Sequence, residues 1–166
     1  MVSAEAVARF LAGRRLAVVG VSDTSGNFGK TVYEALRDRG YGVVPVNPKA
    51  ETVGGDRCYP DLREAPGPLD GVVVMVEPGA AVEIVRQCIA LGVPRVWLFK
   101  GLGGSGAVSD EAVRLCDEHG IEVVPGACPL MFLEPVGWFH KAHRGMRHLN
   151  GSLARPVGPR TLRGAR

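Results

Sequence analysis

The sequence predicts an α/β domain in which helices cover both faces of a parallel sheet, and three observations indicate this class. Several short apolar runs lack polar alternation, which is typical of strands that are buried on both faces. Segments with helical periodicity separate these runs, and glycine-rich turns join the two kinds of segment. Because this alternation implies right-handed β-α-β crossovers, we expect a doubly wound, Rossmann-like parallel sheet of roughly five to six strands with an extra C-terminal helix.

The predicted elements can be placed in order along the chain. Helices are predicted where capping residues flank a helical apolar pattern, over residues 4–12, 28–40, 78–91 and 109–119, and near the C-terminus from about residue 135. Strands are predicted over residues 16–19, 42–46, 57–59, 72–76, 96–99 and 121–124. Pro45 conflicts with the second strand because it lacks the N–H group that a sheet uses, which predicts a weakly paired position or an early end.

Length and composition restrict the class of protein. The chain has 166 residues, of which 46% are hydrophobic and 22% charged, and this suits one globular domain with its own core. We predict a single domain over residues 1–150 and a basic, flexible tail over residues 151–166. No apolar run reaches the roughly 18 residues of a transmembrane helix, and the four cysteines form no C-x-x-C pair. We therefore expect a cytoplasmic protein without disulfides or zinc.

Charge is distributed unevenly along the chain. All 17 acidic residues lie at or before Glu134, whereas seven of the 20 basic residues lie at or after Lys141. A basic tail can bind nucleic acid or an acidic membrane, but residues 151–166 contain no aromatic side chain that could stack on bases. Glycine, proline and arginine predominate there, which is more typical of a solvated end. We expect neither a nucleic acid nor a membrane as partner.

The most informative stretch is residues 16–29, where an apolar strand runs into a glycine- and serine-rich loop and then into a helix. Such a junction directs backbone N–H groups and the positive end of a helix dipole toward one point, which stabilises a phosphate group. Gly20, Gly26 and Gly29 depart from the G-x-G-x-x-G spacing, so the loop predicts a phosphate-bearing ligand without specifying NAD. Lys30 has the wrong charge for a first helical turn, which indicates an anion there.

Ligands of open parallel sheets bind at the carboxyl ends of the strands. The candidates at these ends, besides the glycine loop, are Ser22 after the first strand, Asn47, Pro48 and Lys49 after the second, Pro78 after the third and Lys100 after the fourth. An NAD enzyme places Asp or Glu at the end of the second strand to bind the adenosine ribose, but this chain has Asn47 there. Lys49 would attract a phosphate on the ribose, as carried by NADP or by coenzyme A.

Five segments of the chain resemble one protein family. They are VVGVS, GYGVVPVNP, GDRCYPDL, VWLFKG and GIEVVPGACPLMFLEP, and the resemblance spans roughly residues 5–145. In these segments the chain is similar to the small stand-alone bacterial CoA-binding proteins, whose domain is related to the N-terminal CoA-binding domain of the succinyl-CoA synthetase alpha chain. The PVNP turn and the final strand ending in Cys-Pro are the most specific of these motifs.

The resemblance implies a Rossmann-like domain that binds coenzyme A through its nucleotide part. It implies that Gly20 and Ser22 approach the phosphates, that residues 47–49 flank the adenosine end, and that Val76 and Pro78 line the adenine side. The catalytic histidine of the synthetase lies in a second domain that is not matched here. The ligase activity is therefore not implied.

The chain offers few candidate catalytic groups of its own. Where many relatives carry glutamine after the Trp-Leu of the fourth strand, this chain has Phe99 and Lys100, so the polarity of the pocket differs there. His140 and His143 on one helix would supply a metal ion with only two ligands, and Cys128 is more typical of a structural than of a nucleophilic cysteine.

We therefore predict a non-catalytic module that binds coenzyme A or an acyl-CoA, as a sensor or a partner subunit. An NADP-dependent oxidoreductase is the alternative, although it would require a proton donor that the sequence does not reveal. The C-terminal helix is a candidate contact for a homodimer.

Overall fold

A computed structural model describes residues 1–102 and 106–133. The helices are α1 (Ala4–Ala12), α2 (Phe28–Arg37), α3 (Pro78–Leu91) and α4 (Asp110–Glu118), and a 3₁₀ turn covers Pro129–Met131. The strands are β1 (Arg15–Val19), β2 (Gly42–Val46), β3 (Thr52–Val53), β4 (Asp56–Arg57), β5 (Gly71–Val74), β6 (Arg95–Phe99) and β7 (Glu122–Ala127). The predicted C-terminal helix and basic tail lie outside the described residues.

Five parallel strands form the sheet in the order β2-β1-β5-β6-β7, and β3 pairs with β4 in a separate antiparallel hairpin. The winding direction reverses at β1, because the chain moves outward to β2 and then returns to β5 on the other side. Such a reversal opens a crevice between the carboxyl ends of the two central strands, here β1 and β5. The predicted doubly wound parallel sheet is confirmed, with five strands.

The helices lie on both faces of the sheet, as predicted. One hydrophobic cluster packs α1 and α2 on one face and contains Phe10, Val32 and Trp97, and a second packs α3 and α4 on the opposite face and contains Val85 and Cys116. Successive side chains of β1 alternate between the two clusters, because neighbouring residues of a strand point to opposite faces. This double burial is why the strands show no polar alternation.

Pro45 lies inside β2 and pairs with Val18 of β1 instead of ending the strand. Its carbonyl oxygen accepts a hydrogen bond from the N–H of Tyr59 (3.0 Å) on the outer side of the sheet, so its missing N–H also faces outward. Because β2 is an edge strand, this position tolerates proline. The short edge strand predicted around Tyr59 is displaced, since β4 ends at Arg57 and Tyr59 forms only a single parallel bridge to β2.

The ends of α1, α3 and α4 lie within one residue of the predicted ends, whereas α2 ends at Arg37 instead of near residue 40. Ser3 and Ser109 cap α1 and α4 through their side chains, and Gly92 ends α3 in the left-handed conformation. The last strand is longer than predicted, because β7 continues through Pro125 and Gly126. Both residues usually mark turns, but β7 is an edge strand whose pairing with β6 contains a register shift, and such positions accommodate them.

Candidate functional site

The backbone at the end of β1 lies very close to the end of β5. Gly20 has φ +96°, and a Cβ atom at this position would lie 2.6 Å from the carbonyl oxygen of Met75 and 3.1 Å from the side chain of Val76. A Cβ on Gly29, in the first turn of α2, would lie 3.0 Å from the carbonyl oxygen of Gly20. Glycine therefore permits β1, β5 and α2 to converge on the crevice where ligands of such sheets bind.

Asn27 organises residues 20–27, which we call the β1–α2 loop. Its Oδ1 accepts hydrogen bonds from the N–H groups of Lys30 (2.9 Å) and Ser22 (3.3 Å), and its Nδ2 donates to the carbonyl oxygen of Gly20 (3.3 Å). One side chain thus caps α2 and holds the start of the loop against its end. Asn27 was not among the predicted site residues, although an asparagine directly before a helix start is a typical N-cap.

Two predicted site residues differ in their surroundings within this loop. The Oγ of Ser22 accepts a hydrogen bond from the N–H of Thr24 (3.0 Å) and lies 2.6 Å from its Oγ1. Gly26 is exposed, has φ +79°, and would meet nothing within 4 Å if it carried a Cβ. The polar groups of Ser22 therefore support the loop, and Gly26 permits its left-handed backbone conformation. Contact of either residue with a ligand remains a prediction.

Lys30 contacts a carboxylate of the same loop. Its Nζ lies 2.7 Å from Oδ1 of Asp23, and Asp23 also accepts a hydrogen bond from the N–H of Gly54 (3.2 Å) in the β3–β4 turn. The hydrogen bond from Lys30, followed by that from Gly54, lowers the pKa of Asp23, and the hydrogen bond to Asp23 raises the pKa of Lys30. The ammonium group of Lys30 is thus paired with a carboxylate of the chain itself, and its predicted contact with a bound anion remains a prediction.

Asn47 connects the end of β2 to the end of β1. Its Nδ2 donates a hydrogen bond to the carbonyl oxygen of Val21 (2.8 Å), and its Oδ1 accepts one from the N–H of Lys49 (2.9 Å). Pro48 and Lys49 form an exposed turn beyond it. The amide of Asn47 therefore positions this turn, while the ammonium group of Lys49 remains accessible.

Three helices begin at the carboxyl edge of the sheet, and their N-termini differ in charge. Glu77 caps α3, since its carboxylate accepts hydrogen bonds from the N–H groups of Gly79 (2.9 Å) and Ala80 (2.7 Å). The first turn of α4 contains Asp110 and Glu111. By contrast, α2 has a neutral cap and no acidic residue in its first turn. The positive end of the α2 dipole is therefore the least neutralised of the three.

The remaining predicted residues follow β5 and β6. Val76 and Pro78 are half-buried between β5 and α3, and Pro78 is the first residue of that helix. Lys100 is exposed after β6, where its N–H donates a hydrogen bond to the carbonyl oxygen of Ala127 (3.3 Å). Val76 thus lies at the crevice beside Gly20, while β5 separates Lys100 from β1.

An aromatic pair joins the start of α2 to the end of β6. The ring centroids of Phe28 and Phe99 lie 5.5 Å apart, and Phe28 is 39% exposed. Phe99 was noted in the sequence only as a departure from the glutamine of relatives, and Phe28 was not singled out. Together the two rings make this part of the carboxyl edge apolar.

Burial makes the thiols of Cys58, Cys88 and Cys116 poor nucleophiles. All four cysteines are buried, and burial raises the pKa of Cys88 and of Cys116 to about 12 and also raises the pKa of Cys58. Thiols with such pKa values stay protonated at neutral pH. Cys128, which follows β7, is only 2% exposed. Its burial fits the structural role suggested by the sequence.

Residues 1–102 and 106–133 contain neither a cluster of metal ligands nor a membrane-spanning helix. Within residues 1–102 and 106–133, no group of three or more His, Cys, Asp or Glu side chains is arranged to hold a metal ion. His140 and His143 lie outside these ranges. In the part of the chain that the structure describes, no helix has the length and apolar character needed to cross a membrane.

The sheet order and the crevice beside the α2 N-terminus define a doubly wound α/β protein of the kind that binds a ligand at the carboxyl edge. The particular family follows from the sequence. Residues 14–134 match the family of CoA binding domains, and the chain belongs to this family. The resemblance stated from the motifs is thereby confirmed.

Relatives of the chain include both small proteins and large ligases. YneT from Bacillus subtilis (strain 168) is 30% identical over 115 residues, which cover 69% of this chain and 82% of YneT. The ADP-forming acetate–CoA ligase I from Archaeoglobus fulgidus is 29% identical over 118 residues, which cover 68% of this chain but only 17% of the ligase. A protein from Pyrococcus horikoshii OT3 has a similar structure, with a TM-score of 0.70, 31% identity, and coverage of 76% of this chain and 87% of that protein.

Proposed function

We propose that this chain binds coenzyme A or an acyl-CoA at the carboxyl edge of the sheet and catalyses no reaction of its own. The proposal depends mainly on the geometry of the crevice. The crevice between β1 and β5 is bordered by the glycine backbone at residue 20 and by the N-terminus of α2, whose cap is uncharged and leaves the positive end of the helix dipole unneutralised, in a member of the CoA-binding domain family. A helix N-terminus of this kind stabilises the pyrophosphate of a nucleotide ligand.

The proposed contacts follow the order of the strands. Gly20 and Ser22 approach the pyrophosphate, with Gly26, Gly29 and Lys30 shaping the same loop. Asn47, Pro48 and Lys49 flank the adenosine end, and Val76 and Pro78 line the adenine side. Lys100, after β6, would contact the pantetheine end. These contacts are supported by the position of each residue at a strand exit.

The proposed absence of catalysis is supported by the contacts of two carboxylates at the carboxyl edge and by the burial of the cysteines. The carboxylate of Glu77 is engaged in capping α3, and the carboxylate of Asp23 contacts Lys30. The cysteine thiols are buried. Buried thiols also suit a reducing compartment, which supports the cytoplasmic location that we propose. A non-catalytic CoA-binding chain would act as a sensor or as a partner subunit.

Binding can be measured by calorimetry and by thermal unfolding with coenzyme A and with AMP. Coenzyme A at 100 times its Kd should raise the free energy of unfolding by about 2.7 kcal/mol, and AMP at the same concentration by less. Lys49→Glu should weaken coenzyme A binding about tenfold or more, because it reverses a charge near a ligand phosphate. Arg14→Glu, the same reversal just before β1 at the opposite edge of the sheet, is the matched control and should leave the Kd unchanged.

The outcomes separate the parts of the proposal. No stabilisation by coenzyme A would reject binding, and an unchanged Kd in Lys49→Glu would reject the placement of the adenosine end. Acetyl-CoA should be recovered intact after incubation with the protein. Protein-dependent release of the free CoA thiol would instead reject the non-catalytic part.

A further inference from the structure

Three neighbouring strands end at one level of the carboxyl edge. Val19 of β1 pairs with Val74 of β5, which pairs with Leu98 of β6. The N–H of Met75 still donates a hydrogen bond to the carbonyl oxygen of Val19 (2.9 Å), so the sheet geometry continues one residue further. The residues at this level form a row across the edge: Gly20, Met75 and Phe99. The row leads from the crevice between β1 and β5 to the end of β6.

The side chains of this row lie on the face of the sheet that α1 and α2 cover. The residues two positions earlier in each strand belong to the hydrophobic cluster on this face: Val18, Val73 and Trp97. Since side chains two positions apart in a strand share a face, Met75 and Phe99 point the same way, and both pack against this cluster. Gly20 carries no side chain, so the row is open at β1 and apolar at β5 and β6.

A second aromatic ring approaches the row from α2. Phe28 is the first residue of this helix, and its ring centroid lies 5.5 Å from that of Phe99. We call Phe28, Met75 and Phe99 the aromatic corner. Four large hydrophobic side chains are exposed in residues 1–102 and 106–133, and two of them, Phe28 (39%) and Leu102 (58%), lie at this edge. Apolar groups exposed beside a crevice are typical of ligand sites.

The position of Phe99 is fixed by the chain that follows it. Its carbonyl oxygen accepts a hydrogen bond from the N–H of Ala107 (2.8 Å), and a Cβ on Gly106 would clash with the same oxygen. A Cβ on Gly101 would lie 3.1 Å from Cζ of Phe99, so the backbone passes close to the edge of the ring. A ring that is held in this way loses little freedom when a ligand binds to it.

The charged residue next to Phe99 extends to the opposite face of the sheet. The Cδ of Lys100 would lie 3.8 Å from a Cβ on Gly126, and this Cβ would lie 3.7 Å from Cγ2 of Val108. Val108 packs against the hydrophobic cluster of α3 and α4. The stem of Lys100 is therefore directed away from the aromatic corner, whose three side chains are all apolar.

We propose that the aromatic corner binds the apolar acyl chain of an acyl-CoA, so that the preferred ligand is an acyl thioester and not free coenzyme A. The inference rests on the proposed function, in which the pyrophosphate lies beside Gly20 and the N-terminus of α2. Phe99 lies two strands from β1, which is about 10 Å at the usual strand spacing. The pantetheine arm of coenzyme A is longer than this, so a thioester at its end reaches the rings. An acyl chain on the rings leaves water, which strengthens binding with each methylene.

The test compares acyl chains of different length. Calorimetry would measure the Kd of coenzyme A, acetyl-CoA and hexanoyl-CoA for the wild type, Phe99→Gln and Leu91→Gln. The wild type should bind hexanoyl-CoA about tenfold or more tightly than acetyl-CoA, because each buried methylene strengthens binding about two- to fourfold. Phe99→Gln should lower this ratio about threefold or more. Leu91→Gln is the matched control, because Leu91 is 44% exposed at the end of α3, at the opposite edge of the sheet, and it should preserve the ratio.

Two further variants keep the test independent of folding. Each ratio is measured within one variant, so a partial loss of folded protein weakens the binding of both ligands and leaves the ratio unchanged. Phe99→Leu retains an apolar side chain and should retain most of the ratio. Phe28→Gln changes a more exposed residue of the same corner and should also lower the ratio.

The outcomes distinguish this inference from the proposed function. Binding of coenzyme A with equal Kd values for acetyl-CoA and hexanoyl-CoA, or an unchanged ratio in both Phe99→Gln and Phe28→Gln, would overturn the acyl site while leaving CoA binding intact. Tighter binding of adipoyl-CoA, whose six-carbon chain ends in a carboxylate, than of hexanoyl-CoA would overturn the apolar class of the acyl chain. No binding of any of these ligands would overturn both the acyl site and the proposed function.

Discussion

The β1–α2 loop and a cleft beyond the end of β2 lie at the same edge of the sheet but differ in how their polar groups are satisfied. The second region, the β2 cleft, is lined by Pro48, Lys49, Ala50, Glu51, Arg57, Cys58 and Pro60. In the loop, Asn27 supplies partners for Ser22 and Lys30, and Asp23 neutralises the ammonium of Lys30. In the cleft, Lys49 and Arg57 have no carboxylate partner within the described ranges. The loop is complete without a ligand, whereas the cleft has charge that a ligand can neutralise.

The two regions therefore contribute different properties to the site: the loop determines the shape of its backbone, and the cleft supplies positive charge. The loop positions the backbone around the crevice, so changes in it should lower the free energy of unfolding. The cleft supplies cations that contribute little to folding, because exposed side chains without a defined partner rarely matter for stability by more than about 0.5 kcal/mol. Changes in the cleft should therefore alter the Kd of the ligand and leave the free energy of unfolding nearly unchanged.

The largest expected effect is that of Gly20→Ala. An alanine at φ +96° is strained, and its Cβ would lie 2.6 Å from the carbonyl oxygen of Met75. Strain and overpacking together should lower the free energy of unfolding by about 3 kcal/mol, as measured by urea denaturation. Gly26→Ala is the control, since φ is +79° but no atom lies within 4 Å, and it should cost about 1 kcal/mol. Equal losses in the two variants would show that the close approach of Gly20 to Met75 adds no cost to the backbone strain.

Most of the fold could be predicted because the physical cause of each element is local. Apolar runs such as that of β5 reflect burial on both faces, and Gly92 ends α3 because its left-handed conformation favours glycine. Local rules left the effect of Pro45 open between a weakly paired position and an early strand end, because its tolerance depends on β2 being an edge strand. For the same reason β7, which is also an edge strand, continues through Pro125, although local rules assign this residue to a turn.

The candidate site was less predictable, because its contacts join residues whose distance apart depends on loop conformation. The strand exits after β1 and β2 were located correctly from sheet topology. The pairing of Lys30 with Asp23 depends on the conformation of the β1–α2 loop, which no periodic pattern in the sequence predicts. The strand predicted over residues 57–59 indicated that this segment pairs with the sheet, and Tyr59 does form a bridge to β2, but no sequence pattern indicated that Arg57 lines a cleft with Lys49.

An intermediate effect is expected for Asn27→Ala. This substitution removes the cap of α2 together with the bonds to Ser22 and Gly20, and it should lower the free energy of unfolding by about 2 kcal/mol. Ser109→Ala removes a single cap bond to Ala112 (3.0 Å) at α4 and should cost about 1 kcal/mol. Urea denaturation of both variants measures the difference. A loss in Asn27→Ala no greater than in Ser109→Ala would mean that the loop does not depend on the two additional bonds.

The smallest expected effect concerns the pH dependence of Asp23→Asn. The hydrogen bond from Lys30, and then that from Gly54, lowers the pKa of Asp23 in the folded state below its ordinary value of 3.8. A lowered folded-state pKa stabilises the protein above the unfolded-state pKa, and this contribution is lost as the pH falls through the folded-state value. The wild type should therefore be slightly more stable than Asp23→Asn near pH 7, and the difference should shrink below about pH 4. The effect is small because both side chains are partly exposed to solvent.

Denaturant unfolding of Asp23→Asn at several pH values, repeated in a Lys30→Gln background, measures how much the ionised Asp23 contributes to the free energy of unfolding. Without Lys30 the pH-dependent difference should be much smaller, because the larger of the two causes of the pKa shift is gone. A difference that stays constant or grows as the pH falls would contradict the assignment. The loop thus neutralises its own cation when no ligand is present, and Asp23 competes with a ligand phosphate for Lys30. Lys49 and Arg57, which have no such internal competitor among the described residues, should then contribute more to affinity than Lys30 does.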